Sequence, residues 1–432
     1  MQLVIWSNLN EKQRRDALRR PLTQKSADIS ITVADIFRNV ENSGDSALRD
    51  YTKSFDDVDV EKLRVPAEEM EAAVTSLAPD LAEAMRVAIA NIRAFHALQK
   101  PQEYDVETMS GVRCSFAWRA IERVGLYVPG GTAPLFSSVL MQAIPAKIAG
   151  CKKIALCSPP DKKTGKIPQV ILAAASLCGV DKVYAVGGAQ AIAALSFGTE
   201  TIPQVDKIFG PGNAYVMRAK EYAAQLDDGP AIDMPAGPSE VMVVADNAAS
   251  PQWVAADLLA QAEHDEQAQA MLVCFSKDFA AQVQGALKQQ IENLPRRAIA
   301  EKSIAHAKAI CVENRDDAVH VVNTYAPEHL ILQCEKAQQL VPQIDNAGAI
   351  FVGAMTPETA GDYASGANHV LPTSGRCRAY SGLSVLSFMK NITVQTLSSA
   401  GFHKLAPSLV TLARAEGLEA HAQAVLYRME KV

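Results

Sequence analysis

The period of the hydrophobic positions changes at about residue 124. Before residue 100, apolar residues recur at helical spacing between charges over 35–39, 45–51 and 66–98, and Pro101 closes the last stretch. From Val124 onward, short β-rich runs alternate with amphipathic helical stretches. A first set of strand-like runs occupies 125–128, 154–157, 183–186, 207–209 and 241–245, with helical patterns such as 167–177 and 214–226 between most of them. A second set at 271–275, 309–312, 330–333 and 349–352 repeats the texture. Strands separated by helices predict right-handed crossovers and parallel sheets covered on both faces. The expected fold is α/β: two doubly wound, Rossmann-like parallel-sheet domains, a duplication of architecture, with an N-terminal helical segment and a small C-terminal helical arm. The predicted boundaries are 1–123 (helical segment), 124–238 (first α/β domain), 239–376 (second) and 377–432 (arm). In the arm Leu418, Val425, Leu426 and Met429 share one helix face that must dock on something, with a partner subunit as one candidate.

Length and composition narrow the class. A chain of 432 residues exceeds one ordinary core, so two large units are expected. With 48% hydrophobic and 21% charged residues the protein reads as globular and soluble. A net charge of −6 with no basic run excludes nucleic acid and anionic membrane as partners. The apolar run Leu3-Val4-Ile5-Trp6 lacks the basic flank and length of a secretory signal, and no window approaches the roughly 20 apolar residues of a span. Eight scattered cysteines without a Cys-x-x-Cys pair read as reduced residues of a cytoplasmic chain.

Candidate chemistry gathers at a few loops. Glycine turns follow three strand candidates, at 127–131, 186–190 and 209–213. Each is either a tight βα turn or a site where backbone and helix N-terminus approach a phosphate. None is Gly-x-Gly-x-x-Gly, so a nicotinamide cofactor does not follow from them alone. Within a helical stretch at 253–266, Gln261 and His264 at i, i+3 share one face; they either bond each other and water or reach one ion. Glu328 and His329 stand side by side before a strand, a pairing suited to proton transfer, and as neighbours they are expected to point apart. Asp362 and His369 are bracketed by small residues, while Glu416 and His421 lie near the chain end, where His421 is equally a ligand or a core histidine. The Pro/Gly-constrained turn at 233–240 holds Ser239 at a strand edge. His96, His306 and His320, on charged helical stretches, are expected to be exposed.

Together these segments closely resemble the histidinol dehydrogenase family. The resemblance rests on the motifs at 125–131, 187–191, 209–213, 233–240, 261–264, 327–329, 360–366 and 368–372, in family order over nearly the whole chain. It implies that Gln261, His264, Asp362 and His421 bind one Zn²⁺ per subunit, with His421 supplied by the other subunit of a homodimer. It also implies that Tyr127, Gln190 and Asn213 line an NAD⁺ site, and that Ser239, His329, His369 and Glu416 join the metal ligands in contacting L-histidinol. Glu328 and His329 are the implied catalytic residues of a four-electron oxidation of L-histidinol, through L-histidinal, to L-histidine. One departure is Asp265-Glu266, where relatives often carry a Gly or Pro turn; a modest effect on metal affinity is expected. Three readings compete: a superfamily relative oxidising another alcohol or diol, a zinc hydrolase using Glu328, and a thiol-dependent aldehyde dehydrogenase using Cys114 or Cys151.

Overall fold

A computed structural model describes residues 1–21, 26–130, 134–235 and 237–430. Gly131 and Ala236, each part of a motif above, lie outside the described residues. Fourteen strands are named among them: β1 (Gln2–Ile5), β2 (Tyr104–Met109), β3 (Val112–Ala120), β4 (Arg123–Tyr127), β5 (Lys153–Ser158), β6 (Val183–Ala185), β7 (Lys207–Phe209), β8 (Ala231–Ile232), β9 (Glu240–Ala245), β10 (Gln269–Cys274), β11 (Lys308–Cys311), β12 (His329–Gln333), β13 (Ala349–Val352) and β14 (Met389–Leu397).

Eleven of these strands form two parallel sheets. The first has the order β6-β5-β4-β7-β8, and the second has β11-β10-β9-β12-β13 with β1 added beside β11. Numbered from its own first strand, each sheet therefore runs 3-2-1-4-5, so the same winding is built twice and the predicted α/β duplication is present. Burial shows why these strands read as continuous apolar runs. Along the central β9, Val241, Val243 and Ala245 enter one core layer while Met242 and Val244 enter the other, so period-two alternation leaves no polar side.

The N-terminal helices have a comparable logic. Helix Phe136–Ala149 is buried on nearly every side, as is helix Gly188–Phe197, and a helix apolar all round needs a second layer over it. Helices Ser26–Asp56, Ala67–Thr75 and Pro79–Ala97 supply that layer, inserting Val33, Ile36, Phe37, Met70 and Ile92 into the first unit's core.

Several strands have no clear signature in the sequence pattern. β1 joins the second sheet although it begins the chain. β2, β3 and β14 make a separate antiparallel sheet, which ties the N-terminal segment to the C-terminal arm. β2 and β14 are exposed along almost their whole length, so no buried face imprinted an alternation. Among the described residues no helix is long and apolar enough to cross a membrane.

Candidate active site and metal centre

The second sheet's amino edge carries the chemistry. β9 and β12 are neighbours with His329 paired to Val241, which sets Glu328 and His329 beside the first peptide of β9. The Glu240 N–H donates to Glu328 Oε2 at 2.8 Å, and the Glu240 carbonyl accepts from His329 Nδ1 at 3.2 Å. Glu328 and His329 thus do not diverge as strand neighbours were expected to. Glu328 precedes the first strand residue, so its side chain is free of the pleat, and Oε2 comes within 3.7 Å of His329 Nδ1. With Nδ1 donating to a carbonyl, His329 keeps its lone pair on Nε2.

Helix Glu358–Tyr363, after β13, closes over this pair. Its Glu358 Oε1 lies 3.6 Å from His329 Nδ1, and Asp362 Oδ1 lies 3.7 Å from His329 Nε2. Gly361 lets the helix come this near, since a Cβ there would meet the Phe351 ring at 2.6 Å. His369 repeats the device of His329: its Nδ1 donates to the Asp362 carbonyl at 2.7 Å, leaving Nε2 to face Ser138 Oγ at 3.5 Å. Gln261, buried, ends helix Pro251–Ala262, which packs on the helix of Glu358. The helix stops earlier than its pattern implied, so His264 reaches Gln261's side through a turn in which its N–H donates to the Gln261 carbonyl at 3.2 Å. Asp265 and Glu266 are occupied locally, by the Gln267 N–H and by Lys302.

Burial dominates the electrostatics. It lowers His329 to about 3 and His369 to about 4, with nearby histidines adding to the effect, so both imidazoles are neutral. It raises Asp362 to about 7, and it holds Glu328 and Glu358 well above the usual carboxylate range. His329, Glu358 and Asp362 bring ligand atoms within 4.8 Å of one another. Gln261 Oε1, His329 Nε2 and Glu358 Oε2 are buried without a hydrogen-bond partner. Unpaired donor atoms amid carboxyls that burial disfavours as anions are what a bound cation would satisfy, so the donor set fits a metal.

The expected ligands are thus brought together unevenly. Asp362 is in the cluster, Gln261 and His264 border it, and Ser239 stands half-buried at the same sheet edge. Glu416 and His421 are exposed on the C-terminal helices, away from the cluster. Glu358 was missed, although it precedes Asp362 by one helical turn and so shares its face. Ser138 and Glu240 had no signal in local pattern. His96 corrects an expectation of exposure: it is fully buried, with Nδ1 donating to the Ile92 carbonyl and Nε2 accepting from Asn368.

The first sheet's carboxyl edge faces this cluster, because helix Phe136–Ala149 carries Ser138 from one edge to His369 at the other. There a cavity of about 1350 Å³ is lined by Tyr127, Gly130, Gly188, Gln190 and Asn213, and bordered by helix Ser26–Asp56 and the 159–169 loop. Tyr127 O–H accepts from the Gly188 N–H at 3.1 Å, joining two of the glycine turns. The third turn touches the same residue: Gly210 has φ +115°, and a Cβ there would lie 2.1 Å from the Tyr127 carbonyl oxygen. Asn213 caps its helix by accepting from the Tyr215 and Val216 N–H groups.

The family model described as histidinol dehydrogenase matches residues 19–429. The chain is 51% identical to a histidinol dehydrogenase of Mannheimia succiniciproducens over 432 residues, covering all of both chains. It is 50% identical to one of Vibrio parahaemolyticus, covering all of this chain and 99% of the relative. The crystal structure of histidinol dehydrogenase from Elizabethkingia anophelis superposes with a TM-score of 0.95 at 44% identity, covering 100% of this chain and 98% of that one.

Proposed function

The chain belongs to the histidinol dehydrogenase family and is an oxidoreductase, and we propose that it performs the zinc-dependent, NAD-linked four-electron oxidation of L-histidinol, via L-histidinal, to L-histidine. The observation that carries this reading is the His329 Nε2 lone pair, buried and without a hydrogen-bond partner on an imidazole whose Nδ1 stands 3.7 Å from the carboxyl of Glu328. A neutral imidazole with a fixed tautomer takes the alcohol proton as the carbinol hydride departs. Glu328 then takes a proton from the water that adds to the aldehyde, and His329 takes the hydroxyl proton of the hydrate as the second hydride departs. The alcohol step releases one hydride and one proton; the aldehyde step consumes the water, which supplies the carboxylate's second oxygen, and releases one hydride and two protons, one to Glu328 and one to His329.

Gln261, His264, Asp362 and His421 of the partner subunit would hold Zn²⁺, which supplies a charge anchor orienting the substrate's imidazole and amine. Tyr127, Gln190 and Asn213 would line the site of NAD⁺, the hydride acceptor in both steps. Ser239, His369 and the partner subunit's Glu416 complete the substrate contacts. A homodimer is supported by the exposure of Val106, Ile392, Val394, Leu412 and Tyr427 on the antiparallel sheet and the C-terminal helices, apolar area that a second copy would cover. Eight free cysteines support a reducing, cytoplasmic setting.

A stoichiometric assay tests the reading. Two NADH per histidinol, lost on chelation and restored by zinc, is the expected result; one NADH per histidinol, or indifference to chelators, refutes it.

A further inference from the structure

Arg20 lies outside the catalytic cluster, yet it grips the two backbone segments that hold the cluster in place. Its guanidinium pairs with both oxygens of the Glu240 carboxylate, Nε to Oε1 and Nη2 to Oε2, the latter at 2.7 Å. The same Nη2 donates to the carbonyls of Tyr325 and Ala326 at 3.0 and 3.3 Å, and the guanidinium lies over the Tyr325 ring, 3.9 Å from its centroid. Ala326 is in the left-handed region at φ 56°, the bend from which the chain passes through Pro327 to Glu328. The Ser374 N–H also donates to Glu240 Oε1 at 3.1 Å. Glu240 is buried, so its carboxylate has no water to replace these partners. Its own peptide supplies the N–H to Glu328 and the carbonyl to His329.

We infer that Arg20 is a positioning residue for the proton-transfer pair: by clamping the Glu240 carboxylate to the 325–326 bend, it sets where Glu328 and His329 stand relative to each other. The rigid, two-pronged guanidinium suits this task because it meets a carboxylate and two carbonyls in fixed directions, which an ammonium cannot do. The side chain is 21% exposed, so small cations in solution can reach the place it occupies.

The inference rests on the proton-handling roles proposed for Glu328 and His329, and the experiment separates the two. In zinc-loaded enzyme, Arg20→Ala should lower kcat by about 10- to 100-fold, as expected for a small misplacement of acid–base groups. The KM values for histidinol and NAD⁺ and the bound zinc should be unchanged. Millimolar guanidinium chloride should restore part of kcat in Arg20→Ala and none in Glu328→Gln, whereas a general loss of stability would be worsened by it. If Arg20→Ala folds too poorly to assay, Arg20→Lys decides: a clear loss of kcat at unchanged KM supports the role. Wild-type kcat in either variant, or a loss confined to KM, overturns it. Failure of the wild-type enzyme to form two NADH overturns the functional reading instead, whatever Arg20 does.

Discussion

Replacing Glu328 by glutamine separates the two oxidations more cleanly than any other single change. The amide oxygen can accept the Glu240 N–H bond that Oε2 accepts at 2.8 Å, so the side chain keeps its anchor and its volume. What disappears is the titratable proton of a carboxyl that burial already lifts well above the ordinary range. A general acid–base group contributes about 10²- to 10⁴-fold, or roughly 3–5 kcal/mol of barrier at 1.36 kcal/mol per decade. That loss should fall on oxidation of the aldehyde, where water must be activated, and should largely spare oxidation of the alcohol, which needs only His329 Nε2. Rapid-mixing experiments supplying histidinol or histidinal separately, with NADH absorbance as the signal, measure each half-reaction. Equal losses in both, or wild-type rates in both, refute the division of labour.

Three further outcomes follow from the geometry. Gly210→Ala forces a side chain onto backbone at φ +115° and into the Tyr127 carbonyl, so it should cost at least about 1–3 kcal/mol in thermal unfolding and raise KM for NAD⁺; wild-type stability contradicts this. The Cys151 thiol is pushed up to about 12 by burial and so forms no thiolate near neutrality; the double variant Cys114→Ala/Cys151→Ala should keep both oxidations, and loss of the second would revive thiol chemistry. His96 is held neutral below the ordinary histidine value of 6.5 by burial. The unfolded chain therefore binds a proton there as pH falls below about 6.5 while the folded chain does not, and stability drops with pH through that window. His96→Gln should flatten part of the fall in Tm between neutral and mildly acid pH, and an unchanged slope argues against it.

Much of the fold was legible because burial on both faces writes continuous apolar strands between helices. The predicted runs at 154–157, 207–209 and 349–352 coincide with β5, β7 and β13 to within a residue at either end. β2 and β14 were illegible for the converse reason, since strands exposed along their length carry no alternation. The site divides in the same way. Glu328 and His329 announced themselves as neighbours suited to proton transfer, and Gln261 and His264 as a helical pair, because sequence proximity guarantees spatial proximity. Arg20 and Glu240, 220 residues apart, could not.

By itself, then, the sequence determined the repeated α/β winding, the glycine turns at one sheet edge and the reactive residue types, all consequences of local period and local chemistry. Only the tertiary structure decided that the first sheet's carboxyl edge faces the second sheet's amino edge, and that Glu328 and His329 share the peptide of Glu240. It alone added Glu358 to the cluster and left His421 and Glu416 outside it. The physical reason is that a pattern records which side of its own element a residue faces, whereas the neighbours across that face are chosen by how whole layers pack.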